Sequence, residues 1–241
     1  MSRRHVRTIG RGGLAAALSA CALAGPAQAA DGDFRLSEPG RTSRWAPVLR
    51  ATVARTRPDA AAPRVTRLRT RTPEGTRSLV LVLARREVSG RLWVRVRLAV
   101  LPNGTTGWIR RRRLGEYHSV GTHLVVDTRR LRARLVRRGR TVFRARIGVG
   151  RPRWPTPRGE FYVRNRLTGF AAPMYGPLAF GTSARSAVLT DWPAGGFIGI
   201  HGTDEPGLLP GRVSHGCIRM RNADIVRLGR RMPVGTPITI R

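Results

Sequence analysis

The sequence predicts a mainly β chain with two domains and one or two helices near the C-terminal end. Three observations lead to this prediction. Apolar and basic residues alternate over Arg91–Val100, RLWVRVRLAV, which is typical of a half-buried strand. The same alternation on both sides of Arg138-Gly139 predicts a hairpin with one apolar and one basic face. Helical spacing of apolar residues is clear in NADIVRLGRRM, Asn222–Met232, and predicts a helix with Asn222 as its N-cap.

Residues 1–29 have the features of a cleaved export signal. A basic start is followed by a twelve-residue apolar core and by small residues that end at Ala29. This core is shorter than the roughly 20 residues that span a bilayer. The segment LSAC, ending at Cys21, offers a lipoprotein cleavage site, but cleavage there leaves only seven apolar residues in the core. We therefore expect an exported protein, with cleavage after Ala29 favoured over acylation of Cys21.

The charge of the chain is strongly basic. Lysine is absent, so arginine supplies all 46 basic residues, and the formal net charge is +33. Such a surface is either simply solvated or attracted to a polyanion. Nucleic acid is the usual partner of this much charge, but an exported protein meets the anionic polymers and lipids of a cell envelope instead. The charge alone does not decide between a wall polymer and a membrane surface, and we expect no nucleic acid and a monomeric chain.

The first domain is predicted over residues 45–117, after a polar, flexible segment at 30–44. Short strand signals such as SLVLVL alternate with turn residues, and the last strand signal is Gly107–Ile109. The order of these signals resembles a bacterial SH3-like domain, a small barrel that commonly binds wall peptides or serves as a spacer. Trp93 and Trp108 are expected to be core aromatic residues of this barrel, and no catalytic residue is expected in it.

Cys217 is the only cysteine outside the export signal, and two histidines precede it within sixteen residues. A neighbouring imidazole or several backbone N–H groups can ionise a thiol and make it a nucleophile. Gly216 allows a sharp turn just before the sulfur, so the amides of Gly216 and Cys217 could stabilise an oxyanion. An exported protein that keeps an unpaired thiol also risks its oxidation, which favours a catalytic role.

Two other interpretations of the thiol are open. A lone cysteine is most often a small buried hydrophobe. Alternatively, four side chains near the thiol could bind a metal ion: His201, His215, Cys217 and Asp204. Structural zinc sites usually contain more than one cysteine, so we expect no metal and no cofactor. Proximity in sequence favours His215 as the base, but residues i and i+2 of a strand only share a face, so the residues alone leave the base undecided.

The segment IHGTDEPGLLPGRVSHGCIRM resembles the signature of the L,D-transpeptidase catalytic domain of bacterial cell-wall enzymes. The match includes His-Gly-Thr, Ser-His-Gly-Cys, Ile-Arg-Met and the Asn-x-Asp that starts the next helix. The upstream TPRGEFYV and HLVVDTRRLRARLV fit the same family, so the resemblance covers residues 121–241. In one departure, Arg219 stands where some members of the family have asparagine.

The resemblance implies a cysteine acyltransferase. Cys217 would attack the carbonyl before the terminal D-Ala of a peptidoglycan stem tetrapeptide, with His201 as general base and acid. A backbone carbonyl, for example that of Gly202, would orient the imidazole. An amine of a second stem peptide would then resolve the thioester and form a 3-3 cross-link. Carbapenems are inhibitors of this family.

The resemblance also assigns supporting roles. His215 would shape the site together with Ser214 and Gly216, and Arg219 would bind a carboxylate of the substrate. Two other functions stay open from the sequence. Water or a free D-amino acid could resolve the same thioester, and a protein without turnover could bind the wall through its basic surface and SH3-like domain.

Overall fold

Two β-sheets organise the chain, one in each half. The computed structural model describes residues 32–169, 172–189 and 196–241, and Gly32–Arg241 form one compact unit. The expected export signal, residues 1–29, and the alternative cleavage site at Cys21 lie outside the described residues. Within them, no helix is long and apolar enough to cross a membrane.

The N-terminal sheet has eight strands in the described residues. They are β1 Phe34–Arg35, β2 Ser43–Pro47, β3 Thr52–Arg55, β4 Arg64–Leu68, β5 Leu79–Val88, β6 Arg91–Arg97, β7 Thr106–Arg110 and β8 His118–Val120. Their order is β4-β3-β7-β6-β5-β2-β8, and β1 pairs with β5. A 3-10 turn at Arg111–Arg113 follows β7. This antiparallel arrangement follows from the predicted alternation and closely spaced turns; the SH3-like assignment stays a prediction.

The observed strands extend beyond the predicted boundaries of the first domain. Strand β1 and the first residues of β2 lie within the segment 30–44 that was expected to be flexible. The Ser37 hydroxyl fixes this segment, because it donates to Val82 O at 2.5 Å and accepts from Arg44 N–H at 2.7 Å. At the other end, β8 lies beyond residue 117 and pairs with β2.

The core of the N-terminal half follows the predicted alternation with one exception. Val94 and Val96 are fully buried, whereas Leu92, the second residue of β6 and close to the β5–β6 turn, is exposed. Trp93 and Trp108 are buried, as predicted. Arginine side chains cover the rings of both tryptophans and shield them from water.

The C-terminal sheet has ten strands in the described residues and one α-helix beside it. These elements are β9 Thr122–Asp127, β10 Arg132–Arg137, β11 Arg140–Arg146, β12 Gly148–Gly150, β13 Gly159–Leu167, β14 Ala179–Arg185, β15 Phe197–His201, β16 Gly211–Ser214, β17 Ile218–Arg219, α1 Asn222–Gly229 and β18 Pro237–Ile240. The strand order is β11-β10-β9-β18-β13-β14-β15-β17-β12-β16. Short 3-10 turns lie at Pro173–Tyr175 and Pro206–Leu208.

Helix α1 packs on the sheet as its apolar spacing predicts. Ile225 and Leu228 of the helix are buried in the core of this half. The helix ends at Gly229 and not at Met232 as predicted, although Met232 is buried in the same core. The prediction that Asn222 is the N-cap is wrong: the helix begins at Asn222, and Arg221 occupies the N-cap position without a side-chain hydrogen bond. The Asn222 side chain instead accepts a hydrogen bond from the Thr203 N–H at 2.9 Å, because the loop that follows β15 packs against it.

The two sheets contact each other through aromatic side chains. Tyr162 of β13 packs with Leu79 and Leu81 of β5, and its hydroxyl donates to Leu79 O at 3.2 Å. The Trp45 ring lies against Gly235, which has a φ of 77° and no room for a Cβ. These buried contacts join the two halves along one seam.

Candidate active site

Two neighbouring parallel strands carry the site. Ile200 of β15 is in register with Ile218 of β17, and His201 is in register with Arg219. Both isoleucines are fully buried, and they anchor the strands in the core. Because alternate residues of a strand point to opposite faces, His201 and Arg219 share the other face, and Cys217 directly precedes β17.

Gly199 brings the thiol and the imidazole together. Its N–H points at Cys217 Sγ, at an N–S distance of 3.3 Å. A Cβ at Gly199 would lie 3.7 Å from Cys217 Sγ and 3.7 Å from His201 Cδ2. The sulfur and the ring therefore flank the same point on the same face, where a glycine places no side chain between them. Gly199 was not predicted as a site residue, although a glycine inside a strand commonly marks such a close approach.

The His201 ring has a fixed orientation and a defined tautomer. Its Nδ1 lies 2.7 Å from Gly202 O; since a carbonyl only accepts, Nδ1 carries the proton and Nε2 is left as the basic atom. The Tyr175 ring meets the imidazole edge-on at 5.1 Å. Burial lowers the pKa of His201 to about 4; the Gly202 carbonyl opposes this shift and the positive charge of Arg219 adds to it. The imidazole is therefore neutral at pH 7.

Cys217 is half-buried, and the pKa of its thiol is shifted in the opposite direction to the pKa of His201. Burial raises the pKa of its thiol, and the Gly199 N–H and the charge of Arg219 offset only part of that rise. A thiol with a raised pKa next to an imidazole with a lowered pKa rests as a neutral pair. This geometry suits proton transfer during attack better than a preformed thiolate–imidazolium ion pair.

The turn before the sulfur is held by two hydroxyls. Ser214 Oγ donates to Cys217 O at 2.6 Å and accepts the Gly216 N–H at 3.1 Å. Thr156 Oγ1 donates to Gly216 O at 2.7 Å. Gly216 has a φ of 116°, and a Cβ there would meet Ile198 at 2.9 Å. The backbone that presents the thiol is therefore fixed on both sides.

These bonds correct one expectation about the oxyanion site. The Gly216 N–H was expected to serve an oxyanion, but Ser214 Oγ already accepts it. The Cys217 N–H has no hydrogen-bond acceptor among the described residues. Cys217 therefore carries the available amide, and Gly216 contributes its backbone conformation.

His215 faces a different neighbour. Its ring lies 4.1 Å from the ring of Trp154, centroid to centroid, and it lines the same pocket as Cys217. Burial and the nearby charges of Arg151 and Arg219 lower the pKa of His215. The position beside Gly199 and Cys217 Sγ belongs to His201.

Arg219 is buried at the site and already has an acidic neighbour. Its Nη1 donates to Glu205 Oε2 at 2.9 Å, and its Nε has no partner among the described residues. A substrate carboxylate at Arg219 would therefore share the guanidinium with Glu205. Asp204, the fourth ligand of the alternative metal site, is exposed, and no metal-binding group of three or more such side chains occurs in the described ranges.

The pocket beside the thiol combines polar site residues with an apolar wall. Its described lining is Met174, Tyr175, Ser186, Leu189, Gly196, Phe197, Ile198, His201, Ser214, His215, Cys217 and Arg219. The wall residues were not predicted, since no local sequence pattern connects residues 174–189 and 196–198 with the thiol.

Gly202 supports the site through its backbone. Its carbonyl fixes His201, and a Cβ at Gly202 would clash with Asn222 Oδ1 and approach Gly176 Cα at 3.0 Å. Gly176 itself has a φ of 62°. Close packing of two glycines against one amide thus fixes the loop that follows His201.

The chain is similar to a known family over this half. Residues 121–240 match the family model YkuD, described as the L,D-transpeptidase catalytic domain. Two curated relatives, provisionally named L,D-transpeptidase YkuD, come from Bacillus subtilis and Bacillus licheniformis. The first is 38% identical over 94 residues, which cover 39% of this chain and 50% of the relative. The second is 37% identical over 107 residues, which cover 44% of this chain and 58% of the relative.

The matched region thus spans about half the length of those curated relatives. Among solved structures, the NMR structure of the catalytic domain from an E. faecium L,D-transpeptidase is 26% identical. It covers 50% of this chain and 96% of that chain, with a TM-score of 0.37.

Proposed function

Since this chain belongs, through residues 121–240, to the YkuD family of L,D-transpeptidase catalytic domains, we propose that it is a peptidoglycan L,D-transpeptidase with Cys217 as its nucleophile. One observation carries the proposal. Cys217 Sγ and the His201 ring flank Gly199 on one face of two parallel strands, and the Nδ1–Gly202 bond leaves the other ring nitrogen, Nε2, as a base.

The first half-reaction forms a thioester. Nε2 of His201 takes the thiol proton as the sulfur attacks the carbonyl that precedes the terminal D-Ala of a stem tetrapeptide. The Cys217 N–H donates to the resulting oxyanion. When the C–N bond breaks, His201 returns the proton to the amine of D-Ala, which leaves. The acyl group remains on Cys217.

The second half-reaction transfers the acyl group to an amine of a second stem peptide. The amine attacks the thioester, His201 accepts its proton, and the sulfur leaves and is reprotonated. The product is a 3-3 cross-link. Ser214 and Gly216 hold the turn that presents the sulfur, and Arg219, which already pairs with Glu205, shares its guanidinium with a carboxylate of the substrate.

A carbapenem tests the nucleophile. Intact mass should show one covalent adduct on the wild type and none on Cys217→Ala; Cys21→Ala, measured on the full chain, is the matched thiol control and should keep the adduct. An adduct that survives Cys217→Ala, or no adduct on the wild type, overturns the proposal. Acylation by His201→Ala and His215→Ala then separates the two histidines, because loss is expected only for His201→Ala.

Product analysis tests the acceptor. Muropeptides incubated with the purified protein should yield 3-3 cross-linked dimers. Tripeptide without dimer would instead assign hydrolysis, and a tetrapeptide with a new terminal residue would assign exchange with a free D-amino acid. Binding without any new product would assign a wall-binding protein without turnover.

A second, anionic partner is favoured by the outer face of strands β10 and β11. Four exposed arginines on this face lie directly opposite one another in two pairs, Arg132 with Arg146 and Arg134 with Arg144. Like charges opposite each other destabilise a sheet. The four arginines line a groove of about 450 Å³. Asp127 of β9 lies opposite Arg132 and lines the same groove, but its salt bridges are to Arg130 and Arg241 and not to any of the four. A linear wall polymer fits a groove better than a flat membrane does.

We place the site of action outside the cytoplasm on the strength of residues 1–29. Cleavage after Ala29 would release the mature protein, whereas acylation of Cys21 would anchor it to the membrane. The mass of the mature N-terminus distinguishes these two forms. A mature protein that retains Met1 overturns the assignment.

A further inference from the structure

The β4–β5 connection of the N-terminal half reaches strand β13 beside the pocket. Glu74 Oε1 lies 2.8 Å from Arg164 Nη2, and the Arg164 side chain is only 5% exposed. The next residue, Asn165, donates from Nδ2 to Glu74 Oε2 at 3.1 Å. Two consecutive residues reach one carboxylate because the register of β13 shifts between Val163 and Asn165, and an extra residue of this kind turns neighbours to the same side.

A second connection of the N-terminal half, between β6 and β7, reaches strand β14. Asn103 Nδ2 donates to Arg185 O at 2.8 Å, and Arg185 N–H donates to Asn103 Oδ1 at 3.0 Å. The amide thus continues the hydrogen bonding of the backbone at the end of β14. The two connections contact two different strands of the C-terminal sheet.

Both contacts lead to the same ring. The Arg164 guanidinium carbon lies 3.7 Å from the centre of the Phe197 ring, and that of Arg185 lies 4.9 Å from it. Phe197 lines the pocket that contains Cys217. The N-terminal half therefore holds the side chain of Arg164 and the backbone of Arg185, the two residues whose guanidinium groups lie over one aromatic ring of the pocket wall.

The Glu74–Arg164 pair holds the Arg164 guanidinium in one orientation. Arg164 also donates from Nε to Thr182 O at 2.8 Å, so the planar guanidinium is bonded on two edges while its face covers Phe197. Burial alone would raise the pKa of Glu74, but the charge and hydrogen bonds of Arg164 hold that pKa below its usual value. A buried guanidinium that lost this counter-ion would have to reorient or admit water, and the ring would lose its support.

We propose that Glu74 is a positioning residue for the pocket: through Arg164 it fixes Phe197, so the N-terminal half supports the wall of the binding site for the acyl donor. This assignment rests on the proposed function for the identity of the donor only. It gives the N-terminal half a role different from that of a spacer or a separate wall-binding module.

Thiol alkylation tests this role without requiring transpeptidation. The probes are iodoacetamide, which is small, and N-phenylmaleimide, which must pass the wall; both are used on the full chain with Cys21→Ala as background. Glu74→Gln should leave the rate of Cys217 alkylation by iodoacetamide within about twofold of the wild type. It should raise the ratio of the N-phenylmaleimide rate to the iodoacetamide rate by about fivefold. The matched control is Asp33→Asn, because Asp33 pairs with Arg86 at 2.6 Å in the same half; it should leave the ratio unchanged.

A double-mutant cycle separates positioning from general destabilisation. Phe197→Leu should raise the ratio by itself, and adding Glu74→Gln should change it no further, because Glu74 acts through that ring. Additive effects, or an unchanged ratio in folded Glu74→Gln, overturn the proposal. If Glu74→Gln does not fold, Asn103→Ala replaces it in the same cycle with the same expected and contrary results.

Turnover provides the second readout. With a stem tetrapeptide as donor, Glu74→Gln should raise KM about fivefold and change kcat by less, as expected when ground-state positioning is lost. A wild type that alkylates as described but does not turn over the tetrapeptide contradicts the proposed function and leaves the alkylation cycle to decide the role of Glu74. A lower kcat at an unchanged KM contradicts positioning of the donor.

Discussion

Arginine has opposite surroundings in two regions of the C-terminal sheet. Beside the pocket, Arg164 and Arg219 are buried and each pairs with a glutamate, Glu74 or Glu205. On the outer face of β10 and β11, the arginines are exposed and face each other in like-charged pairs. The net charge of +33 therefore carries little information about role, whereas burial and pairing distinguish side chains that fix geometry from side chains that are available to a polyanion.

The largest expected effect is on the acylation rate of Cys217, which should depend on the pocket residues and not on the arginines of the outer face. His201→Ala should slow acylation of Cys217 by about 10²–10⁴-fold, the usual contribution of a general base. Replacing the four outer arginines with glutamine should leave the acylation rate within about twofold. Stopped-flow acylation by a carbapenem measures both rates. Comparable losses in the two variants would mean that the regions are not functionally separate.

The second prediction concerns the free energy of unfolding. Glu74→Gln leaves the buried Arg164 without its counter-ion and should cost about 3 kcal/mol at pH 7. Because the pKa of Glu74 is lower in the folded protein than in the unfolded chain, its stabilisation is present above the unfolded pKa and is lost as pH falls through the folded value. The difference between wild type and variant should therefore shrink in acid, as urea unfolding at pH 7 and pH 3 can measure. A difference that stays constant with pH contradicts a charged pair.

The third prediction tests the outer face with poly(glycerol phosphate) as probe. Changing Arg132, Arg134, Arg144 and Arg146 to glutamine should weaken binding about tenfold at low salt and lower its salt dependence, since fewer phosphates are neutralised. The matched control removes the same charge from the N-terminal half, at four exposed arginines: Arg57, Arg64, Arg67 and Arg69. Equal losses in both variants would show that binding follows net charge and not this groove.

The site and its supports differ in how far the sequence could predict them. The resemblance predicted roles for Cys217, His201 and the carbonyl of Gly202 because their motifs are short and contiguous, and the structure brings the three groups together. The partner of Arg164 was out of reach, since Glu74 lies 90 residues away and no local periodicity connects an exposed turn with a bulged strand. The Asn222 prediction was wrong for the same physical reason. The capping pattern is local, whereas the Asn222 side chain accepts a hydrogen bond from Thr203, in the loop after another strand.

The strands also differ in how far the sequence could predict them. Alternation over Arg91–Val100 predicted a strand because period-two burial is a local property. Strand β1 was missed because two residues carry no periodicity, and it exists through pairing with β5 and the bonds of Ser37. Gly199 lay within reach of sequence reasoning as a glycine inside a strand, but its partner across the sheet depended on the parallel register of β15 and β17.

The smallest expected effect concerns Arg219, the buried arginine that pairs with Glu205 beside the thiol. Arg219 lowers the pKa of Cys217 and that of His201, since a positive charge favours the thiolate and disfavours the imidazolium. Arg219→Gln should therefore raise both pKa values, and the rate of Cys217 alkylation by iodoacetamide should rise at higher pH than in the wild type. Exposed Arg212, two residues before Ser214, is the matched control, and Arg212→Gln should leave the profile in place. A profile that moves to lower pH in Arg219→Gln would contradict the charge effect assigned to Arg219. An equal shift in both variants would mean that the site responds to the overall charge of the protein and not to the guanidinium that β17 places beside the thiol.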